Sequence, residues 1–491
     1  MSISRLTRLL IVGSMVAPRT AQPQVPFGLD TSFRTSIDAW YVASALPLED
    51  GNILISGQVR FPGELDFRNG ARLHADGSLD LSFPMNVGMG GKLTPWNDRI
   101  YAESGNIVRR LWQQGGLDLD FISMSFSPYF SPMQGGDYHV FPDGRVLISG
   151  RHLLSDSIRG YMGPHCLCWF SNEGYLDTTR VHRKCSGVLT VIKELPNGQF
   201  MGSGTTATYD DQPAGNIFRF HADGSLDPNF QANVTWGEAF DFLALGDGRV
   251  YAAGLFTITG VNDTLQFVRF LPDGSLDPAF NNSLHFQPGE LTASSGAIPS
   301  FIYKLDEGRL IVTGGFQYVE GSTRKGLCAV DTMGNLLAAP FADCGGGSYQ
   351  YQNTVLGSVR GIIPGSSGLY IWGSFHGYDD GATNDTSQRM ICRLYGLDVG
   401  VQEPRAHLDS LSVFPNPSVD VITVPYHLPA GATDACLSLR DVVGREVRSA
   451  RVHEQKGQLF WDIREIPPGT YSVTLLSNGV QLRTEKLIIR Q

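Results

Sequence analysis

The chain of 491 residues repeats itself at intervals of about 50 residues, and this repeat restricts the fold more than any other feature. One signature reads DGRVLISG at 143–150 and DGRVYAAG at 247–254. A second reads HADGSLDPNF at 221–230 and LPDGSLDPAF at 271–280. The first signature occurs seven times, twice in degenerate form, and its copies end at Gly57, Gly105, Gly150, Gly204, Gly254, Gly314 and Gly373. A period of this length is typical of β-propellers and solenoids.

The interior of each unit favours the propeller. The unit over 239–280 has apolar runs at 239–245, 249–254, 267–271 and 276–280, with Asp-Gly pairs after the first and third. Asp-Gly between apolar runs is a strong hairpin signal, because glycine adopts a positive φ without a Cβ clash. The 57 glycines and 27 prolines suit a turn-rich β protein. We therefore predict an all-β fold in which 22–400 form a seven-bladed β-propeller with four-stranded antiparallel blades.

The segment 29–33, LDTSF, copies the fourth-strand signature although it precedes the first unit. The seventh unit ends at 397–399 without the phenylalanine of that signature. We predict that 29–33 supplies the outer strand of the last blade. The ring would then be closed by both ends of the propeller, which leaves no open sheet edge.

The paired DGSLDPxF and DGRVLxxG signatures resemble the delta-60 repeat, a β-propeller-like repeat of bacterial exported proteins. The resemblance covers roughly 27–399. It implies the propeller fold and brings no catalytic residues.

The two ends of the chain have other patterns. Residues 1–21 are predicted to be a signal peptide, because Arg5 and Arg8 precede an apolar run at 9–17. Residues 401–408 are predicted to be a linker. Residues 409–491 alternate apolar positions with Gly and Pro turns, which predicts a small β-sandwich.

This C-terminal segment resembles the type A sorting domain of the type IX secretion system. The matching elements are Pro415-Asn416-Pro417, Gly444-Arg445, a turn with Gly469 and Tyr471, and a last basic strand with Lys486. The resemblance implies the type IX machinery as a partner and export through the periplasm and across the outer membrane. In that family the domain is usually removed, and the cargo is either released or attached to the cell surface.

Charge and motif content narrow the function. A net charge of −10 argues against a nucleic-acid partner. No stretch after the signal peptide reaches the 18 or so apolar residues of a transmembrane segment. HExxH, GxSxG, P-loop, GxGxxG and CxxC motifs are absent. We predict a non-enzymatic binding protein without a cofactor; the alternative is a secreted polysaccharide hydrolase or lyase with carboxylates at the propeller mouth.

The loops between the second and third strands vary most in length and carry acids among aromatic rings. Variable loops on one face of a repeated scaffold are the expected place for ligand recognition. The predicted contacts for a glycan or protein ligand are Tyr378, Asp379, Asp380, Asp385, Asp210 and Asp211. The loop 378–386, YDDGATNDT, is the candidate for calcium, since this ion takes several oxygen ligands.

Seven cysteines occur in a chain that we expect to be exported. Cys168, Cys328 and Cys392 align with Val268 in the third strands, which predicts small buried apolar positions. Two disulfide pairings remain open, Cys166 with Cys185 and Cys328 with Cys344.

Overall fold

A computed structural model of the chain describes residues 27–85, 88–289, 297–396, 411, 413–428, 435–441, 445–452, 456–477 and 480–490. Two compact units divide the chain at 399 and 400. The signal peptide predicted at 1–21, the linker at 401–408 and Gly444 lie outside the described residues. Within these residues no helix has the length and apolarity required to cross a bilayer.

The first unit consists of antiparallel sheets, and in the described residues each repeat contributes one main sheet. Every main sheet packs against the next one along the chain, and the first packs against the last. The main sheets, in chain order, contain β1 (Ala39–Pro47), β2 (Ile53–Arg60) and β3 (Arg68–Leu73); β4 (Leu93–Trp96), β5 (Arg99–Ser104) and β6 (Ile107–Trp112); β7 (Phe130–Val140), β8 (Val146–Asp156) and β9 (Tyr161–Phe170); β10 (Leu189–Glu194), β11 (Phe200–Gly204) and β14 (Ile217–Phe220); β15 (Val234–Ala244), β16 (Val250–Ile258) and β17 (Leu265–Phe270); β19 (Pro299–Lys304), β20 (Arg309–Gly314) and β23 (Leu327–Asp331); and β27 (Ser358–Gly365), β28 (Gly368–Asp379) and β29 (Asn384–Leu394).

Short elements connect or extend these sheets. They are a 3-10 turn at Met124–Phe126 and the strands β12 (Thr208–Tyr209), β13 (Gln212–Pro213), β18 (Phe286–Gln287), β21 (Tyr318–Val319), β22 (Ser322–Thr323), β24 (Gly345–Gly346), β25 (Tyr349–Tyr351) and β26 (Thr354–Leu356). The all-β propeller architecture predicted from the repeat is confirmed.

The fourth strand of each blade is shorter than the sequence pattern suggests. In the fifth sheet, Leu276 forms a single antiparallel bridge with Phe270. The next residue, Asp277, still donates its N–H to the carbonyl of Arg269 (2.8 Å), but Phe280 then donates to the carbonyl of Asp277 (3.1 Å) and turns the chain away. The Asp-Pro-x-Phe part of the signature is therefore a turn at the end of the strand.

A repeated side-chain cluster explains the Asp and Phe of this turn. In five of the seven sheets an arginine of the third strand donates to the signature aspartate at 2.6–2.8 Å and lies 4.9–5.6 Å from the centroid of the signature phenylalanine ring. The clusters are Arg72–Asp80–Phe83, Arg110–Asp118–Phe121, Arg219–Asp227–Phe230, Arg269–Asp277–Phe280 and Arg393–Asp30–Phe33.

The closing glycines of the first signature lie against the backbone of the innermost strand. A Cβ at Gly204 would stand 2.1 Å from the Val188 carbonyl oxygen, and one at Gly254 would stand 2.2 Å from that of Glu238. Only glycine fits where two strands approach this closely. Gly105 of the degenerate second unit differs, because it lies in the β5–β6 turn with open space around it.

The ends of the propeller meet as predicted. Leu29 bridges Leu394 in antiparallel fashion, and the Asp30 N–H donates to the Arg393 carbonyl at 2.9 Å. The Arg393 guanidinium pairs with the Asp30 carboxylate at 2.8 Å, and Phe33 is fully buried beside this pair. The prediction that 29–33 completes the last blade is confirmed.

The cysteines of the third strands are core residues. Cys168, Cys328 and Cys392 are fully buried, and each stands opposite an aliphatic residue of the second strand. Val268 occupies the same register in the fifth sheet. The prediction of a small apolar position is confirmed.

The second unit contains two antiparallel sheets that share one apolar core, so the predicted β-sandwich is confirmed. Ile422, Leu437, Val473 and Leu487 come from both sheets and are fully buried. One sheet pairs β30 (Val421–His427) with β33 (Lys456–Asp462); the other has the order β32 (Glu446–Val452), β31 (Ala435–Arg440), β34 (Gly469–Ser477) and β35 (Val480–Ile489).

Candidate functional site

The predicted loop 378–386 uses its side chains to hold the fold together. Tyr378 is 1% exposed and belongs to the core between the last two sheets, so its expected place in an exposed loop is wrong. Burial raises the pKa of its hydroxyl well above the usual range. Asp379 pairs with Lys325 at 2.9 Å. Burial by itself would raise the pKa of Asp379, but the hydrogen bond and charge of Lys325 and the hydrogen bond from the Gly381 N–H together outweigh it and lower the pKa.

The other acids of this loop also have partners. Asp380 accepts the Leu29 N–H at 2.6 Å and so helps to anchor the segment that closes the ring. Asp385 pairs with Arg34 at 2.6 Å and accepts the Ser387 N–H. These contacts join the two ends of the propeller.

The predicted pair Asp210 and Asp211 lies in the β12–β13 turn, away from loop 378–386 in sequence and in sheet. Both residues have a positive φ, of 46° and 62°. Asp210 pairs with Arg183 at 3.0 Å and accepts the Lys184 N–H. A role for any of these acids in ligand binding stays a prediction, as does calcium. Among the described residues no three His, Cys, Asp or Glu side chains are grouped so that they could hold a metal ion.

An open cleft of about 520 Å³ lies on the face that carries the variable loops, a volume suited to a small ligand. Its walls come from the segments at the starts of the innermost strands of the fourth, fifth and sixth sheets, from the second strand of the fifth sheet, and from the loop between the second and third strands of the fourth sheet. They are formed by Ser186, Thr205, Ala207, Asn216, Thr235, Trp236, Gly237, Glu238, Phe240, Leu255 and Ile298. The cleft therefore lies on the predicted face but uses other residues than the predicted ones.

Trp236 is the most exposed aromatic side chain of the cleft, with 58% of its surface accessible. Two irregularities interrupt β15, one between Val234 and Trp236 and one at Phe240. Between them Gly237 has a φ of 78°, and a Cβ there would stand 2.0 Å from the Leu255 carbonyl oxygen. This turn of the backbone leaves the indole of Trp236 in solvent instead of in the core.

Polar side chains line the same cleft and are held by further hydrogen bonds. The Thr190 hydroxyl donates to Oε2 of Glu238 and fixes the carboxylate at the cleft. Asn216 Nδ2 donates to the Gly237 carbonyl at 2.8 Å. Thr235 Oγ1 lies 3.2 Å from the Thr257 hydroxyl. The arrangement offers one flat apolar surface with hydroxyl, amide and carboxylate groups around it.

The sequence pointed to the loop that holds Thr205, Ala207 and Asn216 of the cleft, but it did not point to Trp236, which lies in the innermost strand β15. In the fifth sheet Ala239 of the innermost strand stands opposite the closing glycine Gly254, and in the fourth sheet Leu189 stands opposite Gly204. The innermost strands of different units can therefore be aligned on their closing glycines. The tripeptide TWG at 235–237 corresponds to CSG at 185–187 in the fourth unit, so the glycine is shared and the tryptophan is not. A comparison of the first residues of the innermost strands would have marked Trp236 as an unusual residue in its repeat.

The sorting-motif residues of the second unit hold its last strand. Asn416 Nδ2 donates to the Lys486 carbonyl at 2.6 Å, and Asn416 Oδ1 accepts the Ile488 N–H at 2.9 Å. The amide thus pairs with β35 as a backbone would. Pro415 and Pro417 on either side are exposed.

Two of the remaining motif residues lie in β34, the strand that pairs with β35, and Arg445 directly precedes β32. Tyr471 is buried, with its hydroxyl donating to the Pro467 carbonyl at 2.7 Å, and Gly469 begins the same strand. Arg445 is largely exposed while it pairs with Asp441 at 3.1 Å. The motif therefore combines structural residues with an exposed basic side chain and an exposed Pro-Asn-Pro turn.

Family models match parts of both units of the chain. Residues 412–490 match the secretion system C-terminal sorting domain. Residues 195–230 and 245–280 match a β-propeller domain of unknown function, DUF5122. No curated protein matches the chain in sequence.

Several solved structures are similar at low identity. PorZ of Porphyromonas gingivalis, a surface component of the type IX secretion system, is 12% identical with a TM-score of 0.33 over 90% of this chain; the chain spans 64% of the length of PorZ. A Bacteroides caccae protein of unknown function is 11% identical, with a TM-score of 0.31 over 58% of this chain and 92% of its own. An exported protein of Bacteroides fragilis is 9% identical, with a TM-score of 0.26 over 81% of this chain and 88% of its own.

The repeat, the antiparallel sheets and the DUF5122 match all indicate a β-propeller. The sorting domain directs export through the type IX system to the cell surface or the medium. The chain is an exported β-propeller protein with a C-terminal type IX sorting domain.

Proposed function

We propose that this exported protein binds a carbohydrate in the cleft around Trp236. The observation that carries the proposal is the exposed indole at the wall of a cleft of about 520 Å³. A tryptophan with more than half of its surface in water loses hydrophobic free energy that burial would supply, unless a ligand covers it. Its position on the face opposite the Asp-Gly turns suits a ligand that reaches the propeller from outside.

The chemistry around the indole suits a sugar better than a purely apolar ligand. The apolar face of a pyranose ring can stack on the indole, while the hydroxyls of the sugar meet the polar groups at the rim. Glu238 offers its second carboxylate oxygen as an acceptor, since Thr190 engages Oε2. Ser186 and Thr205 add hydroxyl groups on the opposite wall.

A glycan array on the purified protein tests the proposal, followed by titration of the best oligosaccharide. We expect Trp236→Ala to weaken binding at least tenfold and Glu238→Gln to weaken it less. Tyr175→Ala is the matched control, because Tyr175 is also exposed (44%) but lies in a turn between the third and fourth strands on the other face. Equal affinity of the Trp236 and Tyr175 variants would contradict the proposal.

The proposal includes that the protein is not an enzyme. The acids predicted at the mouth support this: Asp379, Asp385 and Asp210 each pair with a basic side chain. Hydrogen bonds and the paired cations lower the pKa of Asp379 and Asp385, so both carboxylates stay charged and are poor general acids. Ligand recognition needs no such acid.

One observation favours the alternative, a polysaccharide hydrolase. Burial, followed by the charge of Asp137, raises the pKa of Glu103, as in the acid of a glycosidase. The Lys92 N–H donates to Glu103 Oε2 at 3.2 Å, and the Lys92 ammonium pairs with Asp137 at 2.8 Å. Release of reducing ends from a polysaccharide panel, abolished by Glu103→Gln, would establish this alternative and contradict the binding-only function.

The machinery of type IX secretion is the proposed partner of the sorting domain. The exposed Pro-Asn-Pro turn of the sorting domain is the proposed contact. A reporter with a signal peptide and residues 401–491 should reach the surface of a host with this system. Retention of the reporter in the periplasm would contradict the partner. Asn416→Ala in the same fusion tests whether the turn must be held against β35.

A further inference from the structure

Two cysteine side chains touch each other beside the cleft. All seven cysteines are free thiols in the structure. Cys185 packs against the core cluster of the third and fourth sheets that contains Cys166, and after burial its thiol is the next cause that raises the pKa of Cys166. The Cys166 N–H donates to the Arg183 carbonyl at 2.8 Å, and Leu167 bridges Arg183, so the two chain segments run side by side at this point.

The structure also separates this pair from the other cysteines. Cys328 and Cys344 belong to different core clusters, and Cys344 donates its thiol to the Ala342 carbonyl at 2.9 Å. Cys168 lies in the cluster on the other side of β9 from Cys166. Of the two pairings open from the sequence, the geometry brings only Cys166 and Cys185 together among the described residues.

We propose that Cys166 and Cys185 form a disulfide in the exported protein and that this bond fixes one wall of the cleft. Export carries the chain through compartments in which disulfides form and persist. The oxidant is a protein disulfide of the dithiol-oxidase class. One thiolate attacks a sulfur of that disulfide, the second thiolate displaces the donor from the mixed disulfide, and the donor leaves as two thiols while the chain gains one S–S bond.

The order of attack follows from exposure. Cys185 is half-buried and meets the donor first, whereas Cys166 is 1% exposed. Burial raises the pKa of Cys166 far above its usual range, so its thiolate is scarce in the folded chain. The bond therefore forms quickly during folding and slowly in a protein that has folded reduced.

The bond bears on the cleft through the residue after Cys185. Ser186 lines the cleft, and its Oγ accepts the N–H groups of Ala207 and Thr208 at 2.9 and 3.0 Å. Cys185 itself bridges Tyr209. A disulfide to β9 would anchor this segment to the third sheet and keep the wall in place. This consequence rests on the proposed function of the cleft, whereas the bond itself does not.

Mapping of disulfides in the full chain tests the bond. Protein exported to an oxidising periplasm is blocked with iodoacetamide under denaturing conditions and digested without reductant. We expect one linked peptide pair holding Cys166 and Cys185, and a thiol count lower by two than in reduced protein. The link should persist in a Cys328→Ser variant and vanish in Cys185→Ser. Two unlinked peptides, or another partner for Cys166, would overturn the proposal.

Hydrogen exchange tests the effect on the cleft wall separately. Reduction of the wild-type chain should speed exchange at the Ser186, Ala207 and Thr208 amides and leave Ala252 in β16 unchanged. Unchanged exchange at the first three amides would refute the anchoring role while the bond itself stands. Wild-type protein that carries the linked peptide pair but binds no glycan would locate the failure in the proposed function and not in the disulfide.

Discussion

The segment that closes the ring allows a quantitative test, because the same side-chain cluster occurs at the seam and inside the chain. Phe33 and its internal counterpart Phe280 are 0% and 5% exposed, and each lies about 5 Å from the arginine that pairs with the signature aspartate. Truncation of a buried phenylalanine to alanine costs about 3–5 kcal/mol. We expect Phe33→Ala and Phe280→Ala to lower the free energy of unfolding by similar amounts in that range.

Removal of residues 27–34 should have a much larger effect. Burial of Phe27, Leu29 and Phe33 contributes about 1.5–3 kcal/mol for each side chain. The deletion also leaves the Arg393 guanidinium without Asp30, and the loss of one partner of a buried pair costs about 3–5 kcal/mol. The total is comparable with the whole stability of a domain, about 5–15 kcal/mol. We therefore expect the truncated propeller not to fold cooperatively.

Chemical denaturation of the full chain, followed by tryptophan fluorescence and circular dichroism, measures both effects. A loosely docked terminus would make Phe33→Ala cost well under 1 kcal/mol while Phe280→Ala keeps its full effect. That result, or an unchanged unfolding midpoint after the deletion, would refute the closed ring.

Three further predictions concern the repeat and the predicted loop. The hydroxyl of Ser82, together with other hydrogen bonds, lowers the pKa of Asp80 to about 2. The stability that results is present above the unfolded pKa of about 4 and is lost as the pH falls toward 2. Asp80→Asn should therefore reduce the pH dependence of the free energy of unfolding between about pH 4 and pH 2. Gly204→Ala should cost about 1–3 kcal/mol or more because its Cβ meets the Val188 carbonyl, whereas Gly246→Ala, with open space around it, should leave the melting temperature unchanged. Tyr378→Phe should preserve or raise the melting temperature, because the buried hydroxyl has no hydrogen-bond partner; a clear loss would show that the hydroxyl does have one.

The predicted binding loop shows where inference from the sequence stops. YDDGATNDT looks like an exposed acidic loop because of its composition. Its role depends on Lys325 and Arg34, which are distant in sequence: Lys325 reaches Asp379 from the preceding sheet, and Arg34 reaches Asp385 only when the ring is closed. The side chain of Tyr378 points into a core that is built by two neighbouring sheets. The residues next to this loop in the sequence do not indicate these ion pairs or this core contact.

The repeat by itself determined the propeller, the seam and the place of the cysteines in the third strands, because these depend on spacing and on positions that recur in each unit. Asp-Gly turns, closing glycines and the Asp-x-x-Phe turn recur along the chain because the local steric or hydrogen-bonding requirement is the same in each repeat. The cleft around Trp236 and the contact of Cys166 with Cys185 depend on how neighbouring sheets pack. Only the tertiary structure decides them, because their residues come from different repeats and their contacts follow from the curvature of the ring.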